Sequence, residues 1–362
     1  MTGSPTPLRR ELLALFQGDA EPLDDTAFDD VARRVFAHNF HAVPAYRSYC
    51  AARGRTPETV DHWTVIPAVP TAGFEALPLR DEEAAIERVF RTSGTTRGPE
   101  RRGEHHVADL ELYRASLRST FGAFLLPDRA RLRMVSLMPS AETLRDSSLA
   151  FMISDVMDHF GAPGSGSFAD TDGLDHDGLA SAVDRAVDED APILLLGTSS
   201  AFIHWLDHLE GSGVRYALPE GSRLMDTGGY KGRGRQLTPA ELRAAYGDRL
   251  GLPARVCVNE YGMTELLSQY YDATLRDGAP QKRAAGWLRS VAVDPESLQA
   301  LPAGATGLLR HVDLANLFSV AAVQTEDLGR VDAEGLTLDG RAPGARPRGC
   351  SIAMDLLLES AP

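Results

Sequence analysis

Glu260-Tyr261-Gly262-Met263-Thr264-Glu265 follows an apolar run, Ala254 to Asn259, and lies about 170 residues after Thr92-Ser93-Gly94-Thr95-Thr96. The later stretch reads as a buried strand that runs into a small-residue turn and then a helix from Met263. In α/β proteins ligands bind at such carboxyl ends of strands. The earlier stretch is short, hydroxyl-rich and flexible, and its backbone N–H groups are suited to phosphate oxygens. It is not a P-loop, because no Gly-Lys-Ser/Thr follows it. Arg97, Arg101 and Arg102 lie just downstream and supply positive charge suited to phosphate. Together the two stretches predict a nucleotide site in which Glu265 carries Mg²⁺. Tyr261 is placed to stack on a purine, and Thr264 to donate a hydrogen bond to a phosphate or a substrate carboxylate. Taken singly, each stretch is also an ordinary turn or acidic helix start.

The rest of the chain reads outward from this pair. Residues 1–60 show helical spacing over Leu8 to Phe16 and Phe28 to Phe36. Val65 to Pro70 is extended or looping because of its prolines. From about residue 130, strands and helices alternate: Arg131 to Leu137, Ser147 to Phe160, Leu174 to Val187, Pro192 to Leu196, then a helix through Leu209. Thr238-Pro239-Ala240-Glu241 is a capping box with proline at the first helical position. This rhythm predicts α/β architecture with parallel sheet flanked by helices. After about residue 285 short strands take over, at Trp287 to Val293, Gly307 to Val312, Val320 to Gln324 and Gly335 to Leu338. The expected organisation is an α/β body over 1–285 with the nucleotide cleft, and a small β-rich subdomain over 286–362 that closes the site.

Composition narrows the function. The 362 residues carry a net charge of −14, with 43% hydrophobic and 24% charged residues. Acidity of this degree argues against nucleic acid as a partner, which needs basic surface. No apolar run approaches 18 residues, so no membrane span is expected, and the N-terminus shows no apolar signal region. Three scattered cysteines fit free thiols in a reducing cytoplasm better than a disulfide framework. Only two lysines occur, Lys231 and Lys282. Lys231 stands in Gly228-Gly229-Tyr230-Lys231-Gly232-Arg233, where backbone can approach a ligand closely. A solvated lysine on a polar loop is the plainer alternative.

Other candidates remain open at this level. Asp327, in Thr325-Glu326-Asp327-Leu328-Gly329, suits both hydroxyls of a ribose, or is an acidic turn. Arg341 follows at a spacing that lets it point back at the same nucleotide. Cys350, flanked by Arg346 and Arg348, is either a thiolate favoured by positive charge or a small buried residue. His204 and His208 have helical metal-pair spacing without a convincing third ligand. His105 and His106 contact ligand or lie on a surface loop.

The motifs together resemble the adenylate-forming superfamily, and more specifically the acyl-protein synthetase (LuxE) family. The matching residues are Ile66 to Thr71, Thr92 to Thr96, Asp226 to Arg233, Asn259 to Gln269, Gln324 to Gly329 and Arg348-Gly349-Cys350, across nearly the whole chain. The resemblance implies activation of a fatty or other carboxylic acid with ATP and Mg²⁺, passage of the acyl group to a cysteine, and an acyl reductase or carrier protein as partner. It assigns Ser93, Thr95 and Thr96 to the ATP phosphates, Thr264 and Glu265 to phosphate and Mg²⁺, Asp327 to the ribose and Cys350 to the acyl group. Thr92, Gly94, Gly228, Gly229, Glu260, Tyr261 and Gly262 complete the nucleotide motifs. The superfamily's usual loop lysine is Glu100 here, or is displaced into Arg101. Larger relatives add a C-terminal domain bearing a catalytic lysine, and Lys231 is expected to replace it.

Overall fold

The computed structural model describes residues 7–18, 23–92, 102–228, 237–342 and 348–361. It forms two compact units. One contains residues 121–262 and 270–280. The other contains residues 1–120, 263–269 and 281–362.

The unit of residues 121–262 and 270–280 is built on a mainly parallel sheet. Its strands run in the order Gly166–Ser167, Arg133–Ser136, Ile193–Thr198, Arg223–Thr227, Cys257–Tyr261, with Tyr270–Asp272 antiparallel at the edge. Ile193–Thr198 is apolar on both faces, as a strand covered by helices on both sides must be. Leu179, Val183, Phe202, Trp205, Leu242 and Tyr246, from three helices, pack with Leu195 and Leu224 in one core. The helices start where the sequence says they should. Ser147 caps Ser148–Phe160, Thr198 caps Ser199–Ser212, and Thr238 forms the full capping box of Pro239–Leu250. Buried Arg223 is held by Asp128 and by the Leu125 carbonyl, which satisfies its donors inside the fold.

In the other unit an antiparallel sheet runs Leu288–Val293, Gly307–Asp313, Ala322–Val331, Leu336–Arg341, with Lys282–Arg283 beside Leu336. The long Ala322–Val331 strand serves two neighbours on one side. Its first half takes Val69–Pro70 in parallel, and its second half takes Leu336–Arg341. Tyr46 and Tyr49 donate to the carbonyls of Pro67 and Ala68, so the proline-rich stretch is fixed from the third helix, Pro44–Ala52. A C-terminal helix, Arg348–Ser360, lies against Pro44–Ala52 and Val69–Pro70. Gly73 makes that approach possible: a Cβ there would lie 2.7 Å from Leu357 Cδ2 and 2.6 Å from Val69 Cγ1.

Three features differ from the sequence reading. The compact units cut across the 285/286 division, because the N-terminal helices pack with the late strands. The C-terminal piece is β-rich but ends in a 13-residue helix, which that reading lacks. And no helix begins at Met263: residues 264–268 are turn and irregular backbone between Cys257–Tyr261 and Tyr270–Asp272.

Replacing Thr238 by Ala removes the side-chain half of the capping box, the Oγ1 that accepts from Glu241 N, and leaves the Thr238 N–H on the Glu241 carboxylate. The expected loss is about 1 kcal/mol, read as a lower urea midpoint at unchanged slope. An unchanged midpoint would show that Pro239–Leu250 is held by its packed face alone.

Candidate active site

The two opening stretches sit on different supports. Arg88–Arg91 and Glu104–Val107 form an antiparallel pair. At its open end, Thr92 N donates to Gly103 O, Gly103 N donates to Thr92 Oγ1, and Arg102 Nε donates to Thr92 O, at 2.9, 2.9 and 2.5 Å. Thr92 and Arg102 therefore pinch together the two ends of the loop that carries the phosphate motif. Ser93, Gly94, Thr95 and Thr96 themselves lie outside the described residues, as do Gly229 and Lys231.

Glu265 is buried in a turn whose backbone is tied down by side chains from elsewhere. His105 Nδ1 donates to Thr264 O at 2.7 Å, and Asn316 Nδ2 donates to Glu265 O at 2.9 Å. Asp313 accepts from Leu267 N at 2.8 Å and from Ser268 Oγ at 2.7 Å. In a helix the Thr264 and Glu265 carbonyls would accept from N–H groups four residues on. Here foreign side chains take them, which is why the expected helix does not form. His105 is a buried strand residue, so the surface-loop alternative is excluded. Burial pushes its imidazole down to about 4, with the Thr264 carbonyl opposing. It is therefore neutral at pH 7 with Nδ1 protonated.

The Glu265 carboxyl is pushed up to about 7. Burial is the chief cause; its own backbone N–H opposes, and the negative charges of Asp327 and Glu75 add to the rise while Arg341 counters it. So Glu265, Asp327, Glu75 and Arg341 form one electrostatic neighbourhood. The strand register places two of them face to face: Asp327 is directly opposite Arg341 across the Ala322–Val331 and Leu336–Arg341 ladder. Arg341 also lies 3.5 Å from Glu326. Glu265 is an oxygen ligand of the kind a hard divalent cation takes alongside phosphate oxygens and water. An acid at the ladder position of Asp327 suits paired hydroxyls.

In the other unit, Gly228 ends the Arg223–Thr227 strand with φ +84°. A Cβ there would meet nothing within 4 Å, so the requirement for glycine is conformational. Buried Glu260 accepts from Thr227 Oγ1. Asp226 receives Tyr246 Oη at 2.8 Å and Asn259 Nδ2 at 2.7 Å. These bonds lock the carboxyl ends of two adjacent parallel strands. Tyr261 and Gly262 follow directly, Tyr261 half-buried and 6.2 Å from the Tyr270 ring.

Of the two readings open for Cys350, the structure shows the small buried residue. It is 1% exposed, packs with Val293, Leu298, Leu308 and Ala353, and its Sγ faces Thr325 O at 3.9 Å. The neighbouring Gly349 explains the depth: a Cβ there would lie 2.8 Å from both Pro295 O and Leu298 Cγ. All three cysteines are buried and none forms a disulfide among the described residues. His208 stacks on His176 at 3.9 Å, a contact with no signal in the sequence. Among the described residues no group of three metal-ligating side chains of the His/Cys/Asp/Glu type is found, and no helix is long and apolar enough to cross a membrane. Asp313 and Asn316 escaped the sequence reading, because polar residues in Asp313-Leu314-Ala315-Asn316 look like any strand end.

The architecture is shared with solved ligases. The chain superposes on an open form of 2-hydroxyisobutyryl-CoA ligase in complex with 2-HIB-AMP and CoA, with TM-score 0.63, 14% identity, and coverage of 91% of this chain and 78% of that one. It also matches ATP-bound MatB from Rhodopseudomonas palustris, with TM-score 0.52, 18% identity, and coverage of 73% and 49%. It thus spans about half the length of MatB. The fold is that of the adenylate-forming ligases. At the sequence level, the chain is 21% identical over 343 residues to a long-chain-fatty-acid–luciferin-component ligase of Aliivibrio fischeri, covering 90% of this chain and 87% of the relative. Residues 14–356 match the profile of acyl-protein synthetase, LuxE, and the chain belongs to that family.

The raised Glu265 carboxyl carries a stability cost with a definite sign. Its folded pKa lies above the unfolded value, so the folded state binds the extra proton between about pH 4.5 and 7. Stability contributed by the neutral form is present at low pH and lost as pH rises through about 7. Glu265→Gln mimics the neutral acid. Without metal, the variant is expected to be more stable than the parent at pH 8, by up to about 3 kcal/mol, and to converge with it near pH 5. Parallel melting curves across this range would show that Glu265 is ionised in the folded state at no cost.

Proposed function

We propose that this chain activates a carboxylic acid with ATP and passes the acyl group to a thiol. In the first step a carboxylate oxygen attacks the α-phosphorus of ATP, the bond to the β-phosphate oxygen breaks, and pyrophosphate leaves. In the second a thiolate attacks the acyl carbon, a thioester forms and AMP departs with the bonding electrons. Membership of the acyl-protein synthetase family supports this reading. The observation that carries it to particular residues is the buried Glu265 carboxyl beside Asp327 and Arg341.

Mg²⁺, held by Glu265, would neutralise charge on the phosphate oxygens as they become more negative. The turn keeps the Glu265 backbone fixed, so no reorganisation is needed when charge develops. Thr264 donates to a phosphate or to the acid. Thr92 anchors the loop of Ser93, Gly94, Thr95 and Thr96, whose N–H and hydroxyl groups cradle the phosphates. The family motifs assign Gly228, Gly229, Glu260, Tyr261 and Gly262 to the nucleotide. Asp327 takes the ribose hydroxyls, and Arg341, on the facing strand, offers a cation to the nucleotide. Lys231 supplies the compact positive charge that a single oxygen needs. The acid is of the fatty or other acyl class, and an acyl reductase or carrier protein consumes the thioester. Three buried cysteines without a disulfide among the described residues fit a reducing cytoplasmic setting.

Two acceptors are in play. Cys350 matches the family's near-C-terminal cysteine. Its burial under Gly349 favours the second, a thiol on a partner, because a thiol without solvent access is inert. Transfer to Cys350 itself would need the Arg348–Ser360 helix to lift. Peptide mapping after incubation with ATP and a radiolabelled C14 fatty acid distinguishes them. Label on the Cys350 peptide, absent in Cys350→Ser, supports the internal acceptor. Acyl-AMP formation without protein label, unchanged in Cys350→Ser, assigns the acceptor to a partner.

For Asp327, replacement by Ala is expected to weaken ATP binding by about 2–4 kcal/mol through loss of two charge-assisted hydrogen bonds, while affinity for the acid is unchanged. Calorimetric titration with ATP reads this directly. An unchanged affinity removes Asp327 from the ribose.

A further inference from the structure

The turn that carries Glu265 is the end point of a buried polar chain. Trp287 Nε1 donates to Ser116 Oγ at 2.8 Å, Ser116 and Ser268 hydroxyls are 2.9 Å apart, and Ser268 Oγ donates to Asp313 Oδ1 at 2.7 Å. The direction of every bond is fixed by the two ends. An indole N–H can only donate, and an ionised carboxylate can only accept. Ser268 spends its proton on Asp313, so it must accept from Ser116, and Ser116 must accept from Trp287. All four side chains are at most 1% exposed. Asp313 also accepts from the N–H of Leu267 at 2.8 Å and of Ala315 at 3.0 Å. Buried polar groups of this kind are costly unless every member is satisfied. This chain is satisfied throughout, and it ends on the backbone next to Glu265.

Two further side chains complete the hold. Asn316 Nδ2 divides its protons between Glu265 O and Val320 O, at 2.9 and 3.1 Å, and His105 holds Thr264 O. Thr264, Glu265, Leu267 and Ser268 are thus each gripped by a group at least 45 residues away in sequence. Resting on the reading of Glu265 as the metal-bearing carboxylate, we infer that Asp313, with Asn316 and His105, is a positioning residue that sets where Glu265 meets the metal. Asp313 itself touches neither metal nor nucleotide. It acts through the Leu267 N–H and the Ser268 hydroxyl.

A positioning role separates from a structural one by metal dependence. ATP is titrated into the full chain with excess Mg²⁺, and again with EDTA, for the parent, Asp313→Asn, Ser268→Ala and Glu265→Gln. Asp313→Asn keeps the shape but places an NH₂ where an acceptor is needed. Ser268→Ala removes one bond, leaves the carboxylate in place, and serves if Asp313→Asn does not fold. Both variants are expected to weaken binding of Mg·ATP at least fivefold and to leave metal-free ATP binding unchanged. Equal losses with and without metal, or no loss in either while Glu265→Gln loses Mg·ATP, would overturn the inference. Parent-like Mg·ATP binding by Glu265→Gln would instead remove the metal role of Glu265, and with it the premise.

Discussion

The carboxylate of Asp313 sits fully buried at the end of the Gly307–Asp313 strand and accepts three hydrogen bonds from one neighbourhood: the Leu267 and Ala315 N–H groups and the Ser268 hydroxyl, itself backed by Ser116 and Trp287. Burial pushes this carboxyl up to about 6, and those same donors pull it down. Without it, the backbone between two strands would have no reason to adopt an irregular turn rather than a helix. That turn presents Glu265. The site therefore depends on a polar core that is expensive to build and is complete only when all its members are present.

A second buried polar element stabilises the same unit. Asn39, on the helix Asp25–Ala42, donates to Leu317 O at 2.6 Å and accepts from Ala321 N at 2.9 Å. It holds the segment that follows Asn316, so an N-terminal helix and the active-site turn share a common support. Buried Arg310 is satisfied by neutral acceptors, Thr64 O, Leu298 O and Gln324 Oε1, and burial lowers its guanidinium to about 10. These contacts account for the packing of residues 1–120 with the late strands. A charged or amide group in the core cannot be left half-bonded, and its partners come from far along the chain.

The electrostatics of Glu265 run against stability. A carboxyl held neutral until about pH 7 by burial and by Asp327 and Glu75 gains from a cation in a way that a solvated glutamate does not. This is the usual physical mark of a functional group: the fold tolerates a local cost, and a ligand relieves it. Cys350 shows the opposite behaviour. Gly349 lets the helix sink until the thiol is enclosed, which stabilises the packing and shuts the thiol off from solvent.

Much was legible in the sequence because it depends on neighbours in the chain. The parallel-sheet rhythm follows from apolar periodicity, and the caps at Ser147, Thr198 and Thr238 follow from side chains bonding backbone three residues on. The placement of Glu265 after a strand also follows from local spacing, whereas the seating of Arg341 directly opposite Asp327 is set by strand register and is seen only in the structure. What local pattern could not give is any contact set by distant residues. His105, Asn316 and Asp313 override the helical tendency after Met263 by taking its backbone groups. Leu357 and Val69 meet over Gly73, and Gly349 seats Cys350 against Pro295. Those outcomes are decided by which side chains arrive from elsewhere to satisfy or fill a site, and only tertiary packing determines that.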